Sequence, residues 1–223
     1  MKAVLFDLDG VITDTAHYHY KAWRWLGKEI GVVVDEAFNE ELKGISRSES
    51  LEKILEKGNL TTKYTQTEKI ELATQKNDVY QKMIEEMTPN DLLPGIQELL
   101  LDLKEKQLKI GLASASQNGP FILAKLNIAD LFDTIVDPTT LKAGKPAPDI
   151  FIQGAKQLAI APVDCVGVED AIAGVSAICA ANMAAVGVGD AVQLKEATKV
   201  VPTTDLLTYP LLEKTWQDYR NEG

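Results

Sequence analysis

The residues best suited to chemistry are acids that directly follow short apolar runs. Ala3-Val4-Leu5-Phe6 leads into Asp7-Leu8-Asp9-Gly10-Val11. Two carboxylates separated by one residue point the same way on an extended chain. Unpaired at about 4 Å, in a medium of effective dielectric about 20, they repel by roughly 4 kcal/mol. A divalent cation or a shared proton is the usual way to keep such a pair. Glu169-Asp170 ends a second run, Cys165-Val166-Gly167-Val168, and can add acids to the same rim. An all-oxygen set suits Mg²⁺, a hard cation that takes one or two carboxylates, waters and a phosphate. Ser114 and Ser116 follow a third run, where a hydroxyl and the N–H groups opening a helix can hold a phosphate. Lys145 stands in Gly144-Lys145-Pro146-Ala147-Pro148, a loop fixed by prolines, and can neutralise phosphate charge. Each residue alone has a plainer role: Asp and Ser cap turns and helices, and a loop lysine is solvated. Together they form a candidate site for phosphoryl chemistry.

These residues need a scaffold that brings them to one rim. The runs Ala3–Leu8, Leu108–Ala113, Thr134–Val136, Cys165–Val168 and Ala184–Val188 suit strands buried on both faces of a parallel sheet. Helical patterns lie between them: Ile96, Leu99, Leu100 and Leu103; Phe121, Ile122 and Leu126; Ile172, Val175, Ile178 and Cys179. The alternation predicts a doubly wound α/β domain with a Rossmann-like core, whose ligands sit at the carboxyl ends of the strands. Residues 14–88 have a different texture, with no strand run. His19, Ala22, Trp23, Leu26 and Ile30 fall at helical spacing, as do Ile70, Ala73, Asn77, Tyr80, Ile84 and Met87. Ser46-Arg47-Ser48-Glu49 has capping-box spacing ahead of Leu51, Ile54 and Leu55. The reading is a discontinuous core, residues 1–13 and 89–223, with an all-helical insert at 14–88. Thr88-Pro89-Asn90 and Pro94-Gly95 supply a hinge at its exit.

Composition narrows the partners. The 223 residues carry 23 Lys and Arg against 33 Asp and Glu, a net charge of −10, which argues against binding nucleic acid or anionic membranes through bulk charge. Cys165 and Cys179 lie in apolar runs and read as buried thiols. The N-terminal apolar run is too short for a signal peptide, and no stretch reads as a membrane span. A cytoplasmic, monomeric protein with a small-molecule partner is the expectation.

Asp7-Leu8-Asp9-Gly10-Val11, Ser114, Lys145-Pro146 and Glu169-Asp170 resemble, in order, the four motifs of the haloacid dehalogenase superfamily. The resemblance covers nearly the whole chain and places the helical insert where that superfamily carries a small cap. It implies that Asp7 is the nucleophile and Asp9 the general acid and base. Ser114 and Lys145 would bind the transferring phosphoryl group. Mg²⁺ would be held by Asp7, the Asp9 carbonyl and Asp170, with Glu169 in support. The insert narrows the likeness. Thr13-Asp14-Thr15-Ala16-His17-Tyr18-His19-Tyr20-Lys21-Ala22-Trp23, Leu42-Lys43-Gly44-Ile45-Ser46-Arg47, Lys76-Asn77-Asp78 and Ala113–Pro120 are similar to segments of the β-phosphoglucomutase family. That likeness implies interconversion of β-glucose 1-phosphate and glucose 6-phosphate through a bisphosphate. Arg47, with Ser116 and Asn118, would hold the phosphate that is not being transferred. His19, Trp23, Gly44, Lys76 and Ala115 would line the sugar site, and Thr15 would contact Asp9. His19 is equally placed to be a core histidine, Arg47 a surface residue and Lys76 a solvated one. Gln117 stands where that family often has lysine, and Ala171 where it often has serine. A sugar-phosphate phosphatase is the alternative reading. A receiver domain would be shorter and lack the insert, and a silent binding module would not need the intact acids.

Overall fold

The structure is a computed structural model that describes residues 1–222. Strand β1 (Ala3–Phe6) is followed by four helices: α1 (Ala16–Ile30), α2 (Glu36–Glu40), α3 (Arg47–Lys57) and α4 (Gln66–Ile84). The chain then runs α5 (Ile96–Glu105), β2 (Lys109–Leu112), α6 (Gly119–Lys125), β3 (Thr134–Ile135), α7 (Asp149–Gln157), β4 (Cys165–Glu169), α8 (Ile172–Ala180), β5 (Ala184–Val188), β6 (Lys199–Val201) and α9 (Tyr209–Glu222). The sheet order is β3-β2-β1-β4-β5-β6 and every pairing is parallel. The order reverses direction at β1, between β2 on one side and β4 on the other. In such folds that switch point is where a crevice opens above the carboxyl ends.

Strand residues alternate between two covered faces, as the pleat requires. Val4 and Phe6 join Ile96, Leu99, Leu100, Leu103, Ile122 and Leu123 on one face. Ala3 and Leu5 join Ile150, Phe151, Val175 and Ile178 on the other. The insert has its own core around Trp23, Leu26, Leu51, Ile54 and Leu55. Yet Ala22, Tyr80, Ile84 and Met87 belong to the first face's core, so the insert is bonded by packing to the sheet domain.

The structure departs from the sequence reading at several points. Strand β6 was not expected, because Lys199-Val200-Val201 is too short a run to stand out; it is recruited by pairing with β5. Strand β1 ends at Phe6, not Leu8. Beyond it the chain turns, with the N–H groups of Ile12 and Thr13 both donating to the Leu8 carbonyl. Cys165 is buried as expected, but Cys179 is exposed on the outer face of α8, where Ile172 is also 56% exposed. Phe121 and Ile70 likewise face outward, and Met87 lies beyond the end of α4. The expected capping box forms: Ser46 N–H donates to Glu49 Oε2 at 2.9 Å and Glu49 N–H to Ser46 Oγ at 3.3 Å. Thr65 and Glu68 form a second box on α4. The expected hinge is a pair of tied strands of chain. Leu93 N–H donates to the Ile12 carbonyl at 3.0 Å, and Thr13 Oγ1 donates to the Asp91 carbonyl at 2.6 Å.

Candidate active site

Asp7 follows the last residue of β1, and its N–H donates to Val168 of β4, so its backbone is locked in the sheet. Its two carboxylate oxygens have different partners. Oδ1 accepts from Lys145 Nζ at 2.6 Å, and Oδ2 accepts from the Asp9 N–H at 3.1 Å. Lys145 is buried and also donates to Glu169 Oε2 at 2.8 Å. Its pKa is raised: burial alone would lower it, but Asp7 and Glu169 outweigh that. Glu169 in turn accepts from the Ala171 N–H and fills the space beside Gly174, where a Cβ would lie 2.0 Å from its Cδ. Gly10, at φ +75°, makes room for Asp170 in the same way, since a Cβ there would sit 2.2 Å from Asp170 Oδ2.

Asp9 turns toward the helical insert. The Thr15 hydroxyl donates to Asp9 Oδ1, and the Tyr80 hydroxyl donates to Thr15 at 3.0 Å. His19 Nε2 is 3.8 Å from Asp9 Oδ2 and has no partner of its own. Lys76 Nζ and His19 Nδ1 share a hydrogen bond at 2.8 Å; as an ammonium Lys76 can only donate, which puts the imidazole proton on Nε2. Burial, then the charges of Lys76 and Arg47, hold His19 neutral, well below its ordinary pKa. Lys76 sits over the rings of Trp23 and Tyr80 at 4.5 and 4.8 Å. Burial and Arg47 lower its pKa to about 7, against the pull of Asp9.

The acids are crowded. Burial, followed by repulsion from Asp7, raises the pKa of Asp9 to about 8 and pushes those of Glu169 and Asp170 up as well. Oxygens of Asp7, Glu169 and Asp170 lie within 4.8 Å of one another. One ammonium, Lys145, faces this all-oxygen set directly. The donor chemistry and the unbalanced charge both fit a hard divalent cation.

One cavity joins the sheet rim to the insert. Asp7, Asp9, Asp170, Ser114, Ala115, Ser116 and Asn118 line it from below, and His19, Trp23, Gly44, Arg47 and Lys76 from above. Three expected site residues do not line it. Thr15 stands behind Asp9, while Lys145 and Glu169 lie beneath Asp7. Gln117, noted from sequence for the charge it lacks, is on the wall; residues given no role from sequence complete the site, Lys43 on the wall and Tyr80, Asn77 and Gln81 behind it. Asn77 and Tyr80 were read as part of an apolar helical stripe; their polar ends gave no periodic signal. Ala171 abuts Gly44, where a Cβ would lie 2.9 Å from the Ala171 Cβ.

A model of haloacid dehalogenase-like hydrolases matches residues 1–182. The chain belongs to this family. Within this family of haloacid dehalogenase-like hydrolases it is 55% identical to the β-phosphoglucomutase of Bacillus subtilis over 220 residues, covering 99% of this chain and 97% of that protein. It superposes on the crystal structure of β-phosphoglucomutase from Clostridium difficile with a TM-score of 0.97, 48% identity and 99% coverage of both chains. The likeness to the Escherichia coli fructose-1-phosphate phosphatase is lower, 30% over 185 residues, 83% of this chain and 95% of that one. Among the described residues no helix is long and apolar enough to cross a membrane.

Proposed function

We propose that this chain is a phosphomutase that interconverts β-D-glucose 1-phosphate and β-D-glucose 6-phosphate through an aspartyl-phosphate at Asp7 and β-glucose 1,6-bisphosphate. The observation that carries this reading is that Asp7 and Asp9 share one cavity with Arg47, which comes from the opposite wall. A phosphatase needs only the phosphate site at Asp7; a mutase must hold a bisphosphate in either of two orientations. Full-length likeness to mutases supports the same choice.

In this mechanism an Asp7 carboxylate oxygen attacks phosphorus in line. The bond from phosphorus to the sugar oxygen breaks, and Asp9 gives that oxygen a proton. In the reverse sense Asp9 takes the proton of a sugar hydroxyl, which attacks the aspartyl-phosphate and releases Asp7. Lys145 fixes Asp7 and offsets the charge of the transferring group, which Ser114 binds from the end of β2. Asp7, Asp170 and the Asp9 carbonyl would hold Mg²⁺, with Glu169 behind them. When bound, the ion neutralises charge on the phosphoryl oxygens. Residues 14–88 act as the cap, and closure over the sugar excludes water from the aspartyl-phosphate. We read the protein as a cytoplasmic monomer acting on a small sugar phosphate.

The test uses the asymmetry of Arg47. Its guanidinium can grip the distal phosphate through two parallel bonds, which lysine cannot reproduce. Arg47→Ala should lower conversion of β-glucose 1-phosphate to glucose 6-phosphate by about 10²-fold or more, while hydrolysis of acetyl phosphate at Asp7 persists. Arg47→Lys should recover part of the loss. Equal loss of both rates would show that Arg47 supports the fold or the core site, an unchanged mutase rate would remove its distal-phosphate role, and wild-type enzyme that releases phosphate without forming glucose 6-phosphate would turn the reading to the phosphatase.

A further inference from the structure

The Asn118 carboxamide, 6% exposed, is held from two sides across the boundary between insert and core. Gln81 Nε2 donates to its Oδ1 at 3.1 Å, and its Nδ2 donates to Asn77 Oδ1 at 3.0 Å. Asn77 and Gln81 are one turn apart on α4, so they share a face and straddle the amide. A carboxamide carries two N–H donors and one carbonyl. With a donor at Gln81 and an acceptor at Asn77, the carbonyl and one N–H are taken. The second N–H is left for the cavity that Asn118 lines with Arg47, Ser116 and Gln117. A carbonyl in that direction would repel an anion, whereas an N–H attracts one. The choice matters more in this chain because Gln117, on the same wall, brings no charge.

We infer that Asn77 and Gln81 are positioning residues for this reaction, fixing the Asn118 amide so that an N–H meets the phosphate that is not being transferred. Neither lines the cavity, and neither touches the reacting atoms. Because both sit on α4, that part of the phosphate site is complete only when α4 lies against the core. The inference rests on the mutase reading for the identity of the ligand.

The experiment is a double-mutant cycle on the dissociation constant of glucose 6-phosphate, measured by calorimetry on the full chain. Asn77→Leu and Gln81→Leu are each expected to weaken binding roughly ten-fold, the order of one hydrogen bond to a charged group. Asn118→Ala should weaken it by at least as much. In the Asn118→Ala background the α4 substitutions should add nothing, since their effect runs through that amide. The far-ultraviolet circular dichroism spectrum should stay that of the wild type in the single variants, which a general loss of structure would not allow. Asn77→Ala and Gln81→Ala repeat the cycle should leucine disturb α4. Unchanged binding in the single variants overturns the inference, as does full additivity with Asn118→Ala. A failed mutase reading gives a different result: the wild type forms no glucose 6-phosphate from the β-anomer, whatever the cycle shows.

Discussion

Lys76 illustrates at the residue scale how function opposes stability. Its ammonium is buried against Trp23 and Tyr80, and burial and then Arg47 bring its pKa down from 10.5 to about 7. The unfolded chain holds a proton there up to about pH 10, so between about pH 7 and pH 10 the unfolded state binds more protons than the native one. Stability therefore rises with pH across that window on account of this group. Lys76→Met keeps the stem and removes the buried charge. That variant should melt several degrees higher than wild type at pH 7, and its advantage should shrink steadily toward pH 10. Thermal unfolding followed by circular dichroism over that range checks it; an advantage independent of pH would show that the charge is not responsible. The same variant should lose sugar-phosphate turnover, because the lysine is the hydrogen-bond partner that orients His19 beside Asp9.

The elements matter chiefly for what their ends present. Strand β3 has two residues and few ladder bonds of its own, so Asp133 just before it carries much of the attachment. Its carboxylate accepts from the Ile110 N–H of β2 at 2.9 Å, from Lys109 at 2.8 Å and from Lys104 of α5 at 3.2 Å. Partial burial pushes its pKa up, but these donors together push it further down, leaving it below 3.8. A depressed carboxylate pKa adds stability that is present above the unfolded value and lost as pH falls through the folded one. Asp133→Ala should cost about 1–3 kcal/mol at neutral pH, since a charged acceptor goes and the Ile110 N–H loses its partner. Urea unfolding at pH 7, and again below about pH 4, should show the difference between the two proteins narrowing in acid. A constant difference would mean that lost packing, not the carboxylate, sets the cost.

At the scale of the molecule, the insert and core are joined by more than their two connecting segments. Tyr80, Ile84 and Met87 pack into the sheet domain's core, Lys125 donates to the Glu85 carbonyl at 2.7 Å, and Asn118 bonds to α4. This coupling predicts one cooperative transition. Trp23 and Trp25 report on the insert and Trp216 on α9, so tryptophan fluorescence and far-ultraviolet circular dichroism should give coincident urea curves. Ile84→Ala should shift both together by about 2–5 kcal/mol, the cost of truncating a large buried side chain. An earlier fluorescence transition would show the insert unfolding alone.

The motifs and the fold class were legible in the chain itself. Acids after β-branched runs, prolines around Lys145 and a strand-free stretch after Asp14 are local signals, and local composition is what sequence patterns report. Strand β6 escaped because its three residues are strands only through pairing with β5. Cys179 and Ile172 were misplaced because an apolar helix gives no contrast by which to tell its outer face. Asp7 and Asp9 were read as sharing one rim, and both line one cavity, but the bond from the Asp9 N–H to Asp7 Oδ2 is visible only in the structure. Lys145 was read as a partner for phosphate, and its two short bonds to Asp7 and Glu169 are a further set of contacts that no local pattern reports. The roles of Tyr80, Asn77 and Gln81 emerge only when α4 is laid against the rim. The chemical groups the chain owns, and every strand and helix with a strong local pattern, follow from neighbouring residues and could be read from sequence alone. Which oxygen meets which nitrogen depends on contacts between residues far apart in the chain, 138 positions for Asp7 and Lys145. Only tertiary packing brings such groups within hydrogen-bonding distance.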